Sequence, residues 1–481
     1  MSIVLTAPAP AATATAAGAL AAPGAVLLLS CYELGHQPLS LASPLALLRQ
    51  AGFLPIAVDT AVEEVSDRTL GAAGLVAISV PMHTALRLGD RLAARVRAVN
   101  PAAHVCFYGL YATLNAGYLL RHGGNSVISG EYEAPLLALA LALDRGDPPE
   151  TAPGVGTLDR PALPVIAPAP LLAPERDTLP PLRGYAGLER DGVIVAAGYV
   201  EATRGCHHLC RHCPIPPIYG GRFVVIPRDV VLADARAQVG AGARHLTFGD
   251  PDFFNGPGHG LRVMRALHDE FPWLTFDVTI KVEHLLQHRR HIPELAELGC
   301  AFVVSAVESL SDRVLEKLAK GHTRADVEAA LALLDAAGLP MRPSLLPFTP
   351  WTTLDDYLDL LAFVAGHDLI GHVDPIQLAI RLLVPPGSAL LTDPTTVEWL
   401  GPLDGANYTY RWSHPDPRLD ALHRTVTALA EAATASAEPA IATFAQIWAA
   451  AHAAAGSPPP PVPIPTMSRR PPPRLTESWF C

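Results

Sequence analysis

The sequence predicts an α/β protein with two domains, because two series of short apolar strands alternate with helical segments on either side of a proline-rich stretch. The chain has 481 residues, more than one ordinary core contains. Hydrophobic residues make up 50% of the chain and charged residues 17%, a composition that can bury large apolar surfaces. We therefore expect a folded protein in which each series forms one domain.

The first series predicts a flavodoxin-like (Rossmann-type) domain over residues 24–145, with a helix over residues 84–99. Its strands are expected at residues 25–30, 75–80 and 104–108. Residues 1–23, rich in Ala, Pro and Thr, are expected to form a disordered leader, since few of their side chains are large enough to offset the entropy of ordering. The leader has no Lys or Arg, which argues against an export signal.

The second series, over residues 190–395, predicts a partial (β/α)6 barrel of the TIM type, whose active-site residues should lie at the carboxyl ends of its strands. A proline-rich passage over residues 146–189 is interpreted as an interdomain linker. The six barrel strands are expected at residues 198–203, 245–248, 275–280, 302–307, 341–346 and 373–380. Residues 396–481 should add a helical appendage, with an Ala-rich helix near residues 420–453, and a proline-rich tail.

Charge and cysteine content narrow the function classes. A formal net charge of −11 disfavours non-specific binding to a phosphate backbone, so we expect a small-molecule or peptide substrate and no nucleic-acid or membrane partner. Seven cysteines in 481 residues are too few for a secreted disulfide scaffold. Three of them crowd together, which favours metal binding in a reducing compartment and a cytoplasmic location. Cys31, Cys106 and Cys300 are predicted to be small buried hydrophobes.

A cysteine-rich loop follows the first predicted barrel strand. It contains Cys206, Cys210 and Cys213, with three and two residues between successive thiols. Three thiolates can hold a cubane iron–sulfur cluster and leave one iron free to bind an external ligand, such as an amino acid. Gly205 permits close approach of the backbone. The alternative is a zinc site in which a loop histidine supplies the fourth ligand.

This spacing resembles that of the radical S-adenosylmethionine (radical SAM) superfamily, whose members hold a [4Fe-4S] cluster through three such cysteines. The resemblance implies an enzyme that binds S-adenosylmethionine and cleaves it reductively, with electrons from a donor such as flavodoxin or ferredoxin. The product is a 5′-deoxyadenosyl radical, which abstracts hydrogen from a substrate that the resemblance does not identify. The competing class is a zinc- or cluster-stabilised binding module without activity.

Further segments resemble family motifs at strand ends. Gly249-Asp250-Pro251 resembles the glycine-rich turn that engages the methionine amine, and Ala306-Val307-Glu308-Ser309 resembles the region whose acidic residue holds the ribose hydroxyls. For Glu308 the alternative is a rim carboxylate paired with a neighbouring Arg or Lys. The cofactor-binding residues that the resemblance implies are Gly249, Asp250, Glu308, Arg342 and Ser344.

The order of the two domains resembles that of cobalamin (B12)-binding radical SAM enzymes, which implies cobalamin as a further cofactor and methyl transfer as one reaction. The ligand would lie at the carboxyl ends of the first sheet, facing the barrel. The Asp-x-His-x-x-Gly signature of a histidine on cobalt is missing around His36. Either cobalamin binds without a protein histidine, or the domain has lost the cofactor and the radical chemistry proceeds without it. His36 is equally consistent with a surface loop.

The last residues, Pro473 to Cys481, resemble the tail of a radical SAM group that ends in Cys-Sec-Ala-Glu-Pro or Cys-Cys-Ala-Glu-Pro. We interpret Cys481 as the first position of that tail, followed by a selenocysteine codon read as stop. A gene without UGA directly after the Cys481 codon would contradict this hypothesis. The alternative is a plain terminal cysteine without chemistry.

Overall fold

The computed structural model describes residues 15–166, 171–436, 438–465 and 467–477. Within them lie two mainly parallel sheets, one in each predicted domain. The α/β fold class and the order of the two domains are therefore confirmed. Cys481 lies outside the described residues.

The N-terminal sheet has six strands in the order β2-β1-β3-β4-β5-β6, all parallel except β6. The strands are β1 Val26–Ser30, β2 Ile56–Asp59, β3 Leu75–Ser79, β4 His104–Tyr108, β5 Ser126–Ile128 and β6 Val155–Gly156. The helices are α1 Leu39–Gln50, α2 Asp67–Ala72, α3 His83–Val99, α4 Leu110–Leu114, α5 Ala116–Leu119 and α6 Glu133–Arg145. Both β1 and β3 are buried along their whole length, because helices cover both faces of the sheet. Such doubly wound sheets bind ligands at their carboxyl edge, where the strand order reverses.

The barrel sheet has the order β14-β13-β12-β11-β8-β7-β17. Its strands are β7 Gly187–Arg190, β8 Val193–Val200, β11 His245–Phe248, β12 Thr275–Thr279, β13 Cys300–Glu308, β14 Met341–Leu345 and β17 Arg474–Leu475. The five from β8 to β14 are parallel. At one edge β7 pairs antiparallel with β8, and β17 pairs antiparallel with β7. A separate antiparallel pair, β9 Thr203–Gly205 and β10 Phe223–Val225, frames the cysteine loop.

Helices pack against the barrel strands and supply their crossovers. They are α7 Pro216–Tyr219, α8 Arg228–Gly240, α9 Pro257–Glu270, α10 Val282–Gln287, α11 Ile292–Glu297, α12 Asp312–Lys317, α13 Arg324–Ala336 and α14 Leu354–Gly366. Capping boxes start α13 at Thr323 and α14 at Thr353. These caps fix where the chain leaves the carboxyl-end loop and enters the next helix.

The prediction of a sixth barrel strand at residues 373–380 is wrong. The 3₁₀ turn Pro375–Leu378 lies in this segment, and another, Ile370–His372, directly precedes it. Pro375 cannot donate a ladder hydrogen bond, which disfavours a central strand there. An isolated parallel bridge between Phe348 and Arg381 lies where the sixth strand would continue the sheet.

The C-terminal appendage consists of a hairpin, two helices and the returning tail. Its elements are β15 Leu400–Asp404, β16 Thr409–Trp412, α15 Pro417–Ser436 and α16 Ala440–Ala454. The single helix predicted near residues 420–453 is thus two helices, because Pro439 lacks a backbone donor and forces a break. The proline-rich tail ends in β17, which adds a strand to the barrel edge.

Leader and linker are both fastened to the domains. Asp144 accepts hydrogen bonds from the backbone of Ala17 at 2.9 Å and of Gly18 and Leu20 at 2.8 Å, so the expected disorder does not extend to these residues. Residues 1–14 lie outside the described part. In the linker, buried Arg176 pairs with Asp234 on α8 at 2.6 Å and so ties the linker to the barrel. Among the described residues we find no helix that is both long and apolar enough to span a bilayer.

Candidate functional site

The cysteine loop begins at the carboxyl end of β9, where Gly205 adopts a φ of +81°. A Cβ at this position would lie 2.4 Å from the Tyr219 ring and 2.7 Å from the Arg222 carbonyl oxygen, so glycine is required. Asn255 holds the next turn: its Oδ1 accepts from the His207 N–H at 3.0 Å, and its Nδ2 donates to the Gly205 carbonyl at 3.4 Å. The loop therefore has a fixed starting geometry.

The three thiols share one half-buried environment. Cys210 is buried, and Cys206 and Cys213 are partly exposed. Burial raises the pKa of Cys206, and it raises the pKa of Cys213 to about 12, with smaller contributions from the charges of the neighbouring thiols. Three soft sulfur donors held together in this way fit an iron–sulfur cluster, whose iron would supply the charge that stabilises thiolates.

Lys320 lies next to this loop. The Leu318 carbonyl accepts a hydrogen bond from the Arg211 N–H at 2.9 Å, which places the segment leading to Lys320 against the loop. Although burial opposes its charge, the charges of Glu308 and of the thiols Cys210 and Cys213 raise the pKa of Lys320. A buried cation thus stands where a thiolate cluster would need one.

Glu308 ends β13 with a φ of +62°, an unusual conformation for a residue other than glycine. Its Oε1 lies 3.2 Å from Lys320 Nζ and 3.4 Å from His212 Nε2. Burial alone would raise its pKa, but the charge of Lys320 and the contacts with His212 lower the pKa of Glu308 to about 2. The carboxylate is therefore ionised, and it is paired with a lysine as the alternative interpretation expects.

Asp250 supports the loop from beneath. One oxygen accepts from the Ala202 N–H at 2.9 Å and the other from Thr203 Oγ1 at 2.6 Å, so both oxygens are engaged by the segment that enters β9. Burial raises the pKa of Asp250 to about 7. Its role in the described structure is to position the loop, and its predicted contact with a cofactor stays a prediction.

Arg342 and Ser344 lie on β14, and neither is bonded to the cysteine loop as Asp250 is. Arg342 is the second residue of β14, near its amino end, and donates to Asp374 at 2.7 Å and to the Pro473 carbonyl at 3.2 Å. This side chain is engaged by Asp374 and the tail at the opposite end of the sheet from the cysteine loop, and its predicted cofactor contact stays a prediction. Ser344 lies in register with Ala306 and is half-buried. Its proposed contact stays a prediction.

A cavity of about 210 Å³ lies where the carboxyl ends of the two sheets meet. From the N-terminal domain it is lined by Ser79, which ends β3, and by Gly109 and Gly130, which follow β4 and β5. From the barrel it is lined by Gly205 and Gly249. Gly249 packs so closely on the Tyr199 ring that a Cβ would lie 1.8 Å from its hydroxyl oxygen. The cavity thus joins both domains directly beside the cysteine loop.

His36 also lines this cavity and is not a surface residue. It is 5% exposed, its ring lies 4.9 Å from that of Tyr199, and its Nδ1 has no hydrogen-bond partner. Burial lowers its pKa to about 4, so the imidazole is neutral at physiological pH. The surface interpretation of His36 is wrong, because the loop that carries it turns inward between the domains.

Sequence reasoning missed the buried network around Arg204. This guanidinium lies 2.5 Å from Glu133 and 3.2 Å from Glu131 of the N-terminal domain, and 2.6 Å from Glu201. The Tyr219 hydroxyl donates to Glu131 at 2.6 Å. An Arg directly after a strand carries no spacing signal, so this contact between domains could be found only in the fold. It fixes the cavity wall next to Gly205.

Comparison with known proteins agrees with this geometry. Residues 200–364, from the end of β8 into α14, match the family described as the Radical SAM superfamily. The ribosomal protein uS12 methylthiotransferase RimO of Geobacter sulfurreducens is 26% identical over 190 residues, which cover 36% of this chain and 41% of that protein. A tRNA-2-methylthio-N(6)-dimethylallyladenosine synthase of Sorangium cellulosum is 30% identical over 189 residues, 34% of this chain and 38% of that protein. The chain spans less than half the length of these relatives.

Solved structures show the same two-domain fold. The radical S-adenosylmethionine methyltransferase TsrM of Kitasatospora setae, solved with cobalamin and a [4Fe-4S] cluster, matches with a TM-score of 0.57 at 18% identity, covering 72% of this chain and 70% of that chain. The cobalamin-dependent S-adenosylmethionine radical enzyme OxsB, solved with aqua-cobalamin, matches with a TM-score of 0.67 at 14% identity, covering 83% and 66%. At such identity the likeness concerns the fold alone.

Proposed function

We propose that this chain, which contains a radical SAM domain over residues 200–364, is a cobalamin-dependent radical SAM enzyme. Cys206, Cys210 and Cys213 would hold the [4Fe-4S] cluster, and S-adenosylmethionine would bind at the carboxyl ends of the barrel strands. When bound and reduced, the cluster would supply the electron that splits S-adenosylmethionine into methionine and a 5′-deoxyadenosyl radical. Methyl transfer is the reaction class that we favour, because TsrM, one of the structural neighbours, is described as a methyltransferase.

The observation that carries this proposal is the cavity beside the cysteine loop, lined from both sides by glycines at strand ends. A ligand in this cavity would contact the carboxyl ends of the strands in the N-terminal sheet and in the barrel at the same time. These are the ends at which such folds bind ligands and carry out catalysis. A structural zinc site in the cysteine loop would require neither domain. It would not explain why the carboxyl ends of the two sheets face each other. The geometry therefore favours an enzyme over a binding module.

Residues of the chain have distinct tasks in this proposal. Ionised Glu308 can accept hydrogen bonds from the ribose hydroxyls of S-adenosylmethionine, while Lys320 balances its charge. Any side chain at Gly249 would collide with Tyr199, so the turn needs glycine there, and its backbone would engage the methionine end. Asp250 holds Ala202 and Thr203, and through them the start of the cysteine loop.

Cobalamin fits the position of the cavity better than its size. The volume of about 210 Å³ is below the roughly 300–1,000 Å³ of a typical cofactor pocket, so binding requires the loop around His36 to move or the domains to part.

His36 is a candidate ligand for the cobalt of cobalamin. Its Nδ1 has no hydrogen-bond partner and could bind cobalt, although the usual sequence signature is missing. In the cobalt(II) state, nitrogen splitting of the electron paramagnetic resonance spectrum that disappears in His36→Asn would identify this ligand. Unchanged spectra would favour binding without a protein histidine.

One preparation tests the main proposal. The chain is reconstituted anaerobically with iron and sulfide, reduced and mixed with S-adenosylmethionine, and 5′-deoxyadenosine is measured. The variant with Cys206→Ala, Cys210→Ala and Cys213→Ala should produce none. If the protein is colourless, contains zinc and forms no 5′-deoxyadenosine, the result would support the alternative of a zinc-binding module without activity. Product without bound cobalt would support the alternative of radical chemistry without cobalamin.

Substrate screening follows from the same preparation. Transfer of a labelled methyl group from S-adenosylmethionine should be followed with small molecules and peptides first. Two relatives are named for a ribosomal protein and for a tRNA modification, so both macromolecules belong in the screen. Label in RNA would overturn the expectation, drawn from the net charge, of no nucleic-acid partner.

A further inference from the structure

We propose a second metal site beside the cysteine loop, in which His208, Asp252 and His284 bind a divalent transition-metal ion. Their ligand atoms all lie within 4.8 Å of one another. His208 Nε2 is 3.4 Å from His284 Nδ1 and 3.4 Å from Asp252 Oδ2, and His284 Nδ1 is 2.9 Å from Asp252 Oδ2. Ligands held roughly 2.0–2.2 Å from a metal lie about 3.0–3.4 Å from each other, so the spacing suits one ion.

Asp252 supplies an independent observation. Its side chain is buried at 1% exposure, and its Oδ1 accepts from the Phe254 N–H at 2.9 Å. Its Oδ2 makes no well-aligned hydrogen bond, although His284 Nδ1 lies 2.9 Å and His208 Nε2 lies 3.4 Å away. A buried carboxylate oxygen without a donor is costly. A metal ion would coordinate this oxygen and one ring nitrogen of each imidazole.

The remaining nitrogen of His208 faces a charged pair. Lys281 Nζ lies 3.1 Å and Glu283 Oε2 lies 3.6 Å from His208 Nδ1, and these two groups are 2.9 Å from each other. Histidines that bind metals commonly donate their second N–H to a carboxylate. With Nε2 as the ligand, Nδ1 would carry the proton; Lys281, which can only donate, would then move away from Nδ1 and Glu283 would close in from 3.6 Å to accept it.

The three residues come from separate elements. His208 lies between Cys206 and Cys210, Asp252 follows β11, and His284 lies on α10 after β12. An ion bound by them would therefore brace the cysteine loop against the carboxyl ends of two barrel strands. Two imidazoles and one carboxylate with a free coordination position are typical of zinc and of non-haem Fe(II). We assign the ion a positioning role for the loop, which does not depend on the reaction proposed above.

Zinc content tests the site in the full chain. The cluster-reconstituted chain is exposed to Zn²⁺, desalted and analysed for metals, and about one zinc ion per chain should remain. His284→Asn and Asp252→Asn should lose it. The matched control His288→Asn, one helical turn beyond His284, should keep it. Zinc that is absent from the wild-type chain, or equally bound by His284→Asn, would overturn the proposal.

X-ray absorption at the zinc edge covers the case in which variants fail to fold. Nitrogen and oxygen neighbours near 2.0–2.2 Å, with imidazole scattering, would support the site. Sulfur near 2.3 Å would place the zinc on the cysteines and contradict the proposal.

The triple cysteine-to-alanine variant separates the second metal site from the proposed function. If it retains zinc but forms no 5′-deoxyadenosine, both proposals stand. If the wild-type chain retains zinc but never forms 5′-deoxyadenosine, the second metal site stands and the proposed function fails.

Discussion

The two ends of the barrel sheet carry similar ion pairs but use them differently. At the carboxyl end, Glu308 pairs with Lys320 beside three thiols, on a backbone of unusual φ. At the amino end, Arg342 pairs with Asp374 and also holds the carbonyl of Pro473 in the tail. An ion pair shielded from solvent therefore does not mark a site by itself. What distinguishes the two ends is whether the partners face reactive groups or the chain's own backbone.

Cysteine substitutions at the two ends should differ most. Cys213→Ala should abolish iron binding and 5′-deoxyadenosine formation, because a cubane held by two thiolates is no longer protected. The matched variant Cys300→Ala alters a buried thiol at the amino end of β13 and should retain iron. Iron and acid-labile sulfide are measured after reconstitution. Equal iron in both variants would contradict the assignment of the loop.

Glu308→Gln should weaken S-adenosylmethionine binding by roughly 10- to 150-fold, the range for loss of hydrogen bonds to a charged group. Because the pKa of Glu308 is about 2, this carboxylate should add no pH dependence near neutrality. Equilibrium binding to the cluster-loaded chain gives the measurement. The double variant Glu308→Gln with Lys320→Met removes the stranded cation as well. If it restored binding, Glu308 would serve only to neutralise Lys320.

The raised pKa of Asp250 predicts that the free energy of unfolding depends on pH. Its pKa is raised from 3.8 to about 7 by burial, so the folded chain holds a proton that the unfolded chain has released between these values. The free energy of unfolding should therefore fall as pH rises through this window, by a few kcal/mol in order of magnitude, and level off above it. Asp250→Asn cannot titrate and should lack this part of the decline in denaturant titrations. Exposed Asp229→Asn should keep the wild-type profile.

Arg342→Met should cost about 1–3 kcal/mol of unfolding free energy, because half-buried Asp374 keeps only the more distant Arg474 at 3.6 Å and the tail loses a contact. The rate of 5′-deoxyadenosine formation per cluster should stay unchanged. Urea unfolding and product analysis on the same preparation give both values. A large loss of S-adenosylmethionine affinity instead would support the predicted cofactor role of Arg342.

The sequence was most informative where local pattern and fold agree. Strands β4 and β11 have the predicted bounds, since each is a short apolar run ended by a glycine. Strand β2 and the three-residue β5 were missed, because neither is long enough to show a period. The cysteine loop could be predicted from the spacing of Cys206, Cys210 and Cys213.

Other parts of the site needed the three-dimensional arrangement. For Arg342, the sequence predicts that the residue lies in a strand but does not show at which end of the strand its side chain is engaged. Asp252 and His284 are brought to His208 by strand order alone, and their sequence separation carries no signal. Such groups can be found from sequence only after the fold is known.

The pairing of β17 with β7 has a consequence for synthesis. The Gly187 N–H donates to Thr476 Oγ1, 289 residues away, and Leu475 packs with Leu188 in a small apolar cluster. At roughly 5–20 residues per second, a ribosome needs on the order of tens of seconds to make the missing partner. During that time β7 is an open edge, the kind of surface on which nascent chains aggregate. Chaperone occupancy of this edge, mapped on stalled ribosomes, should end once the tail emerges.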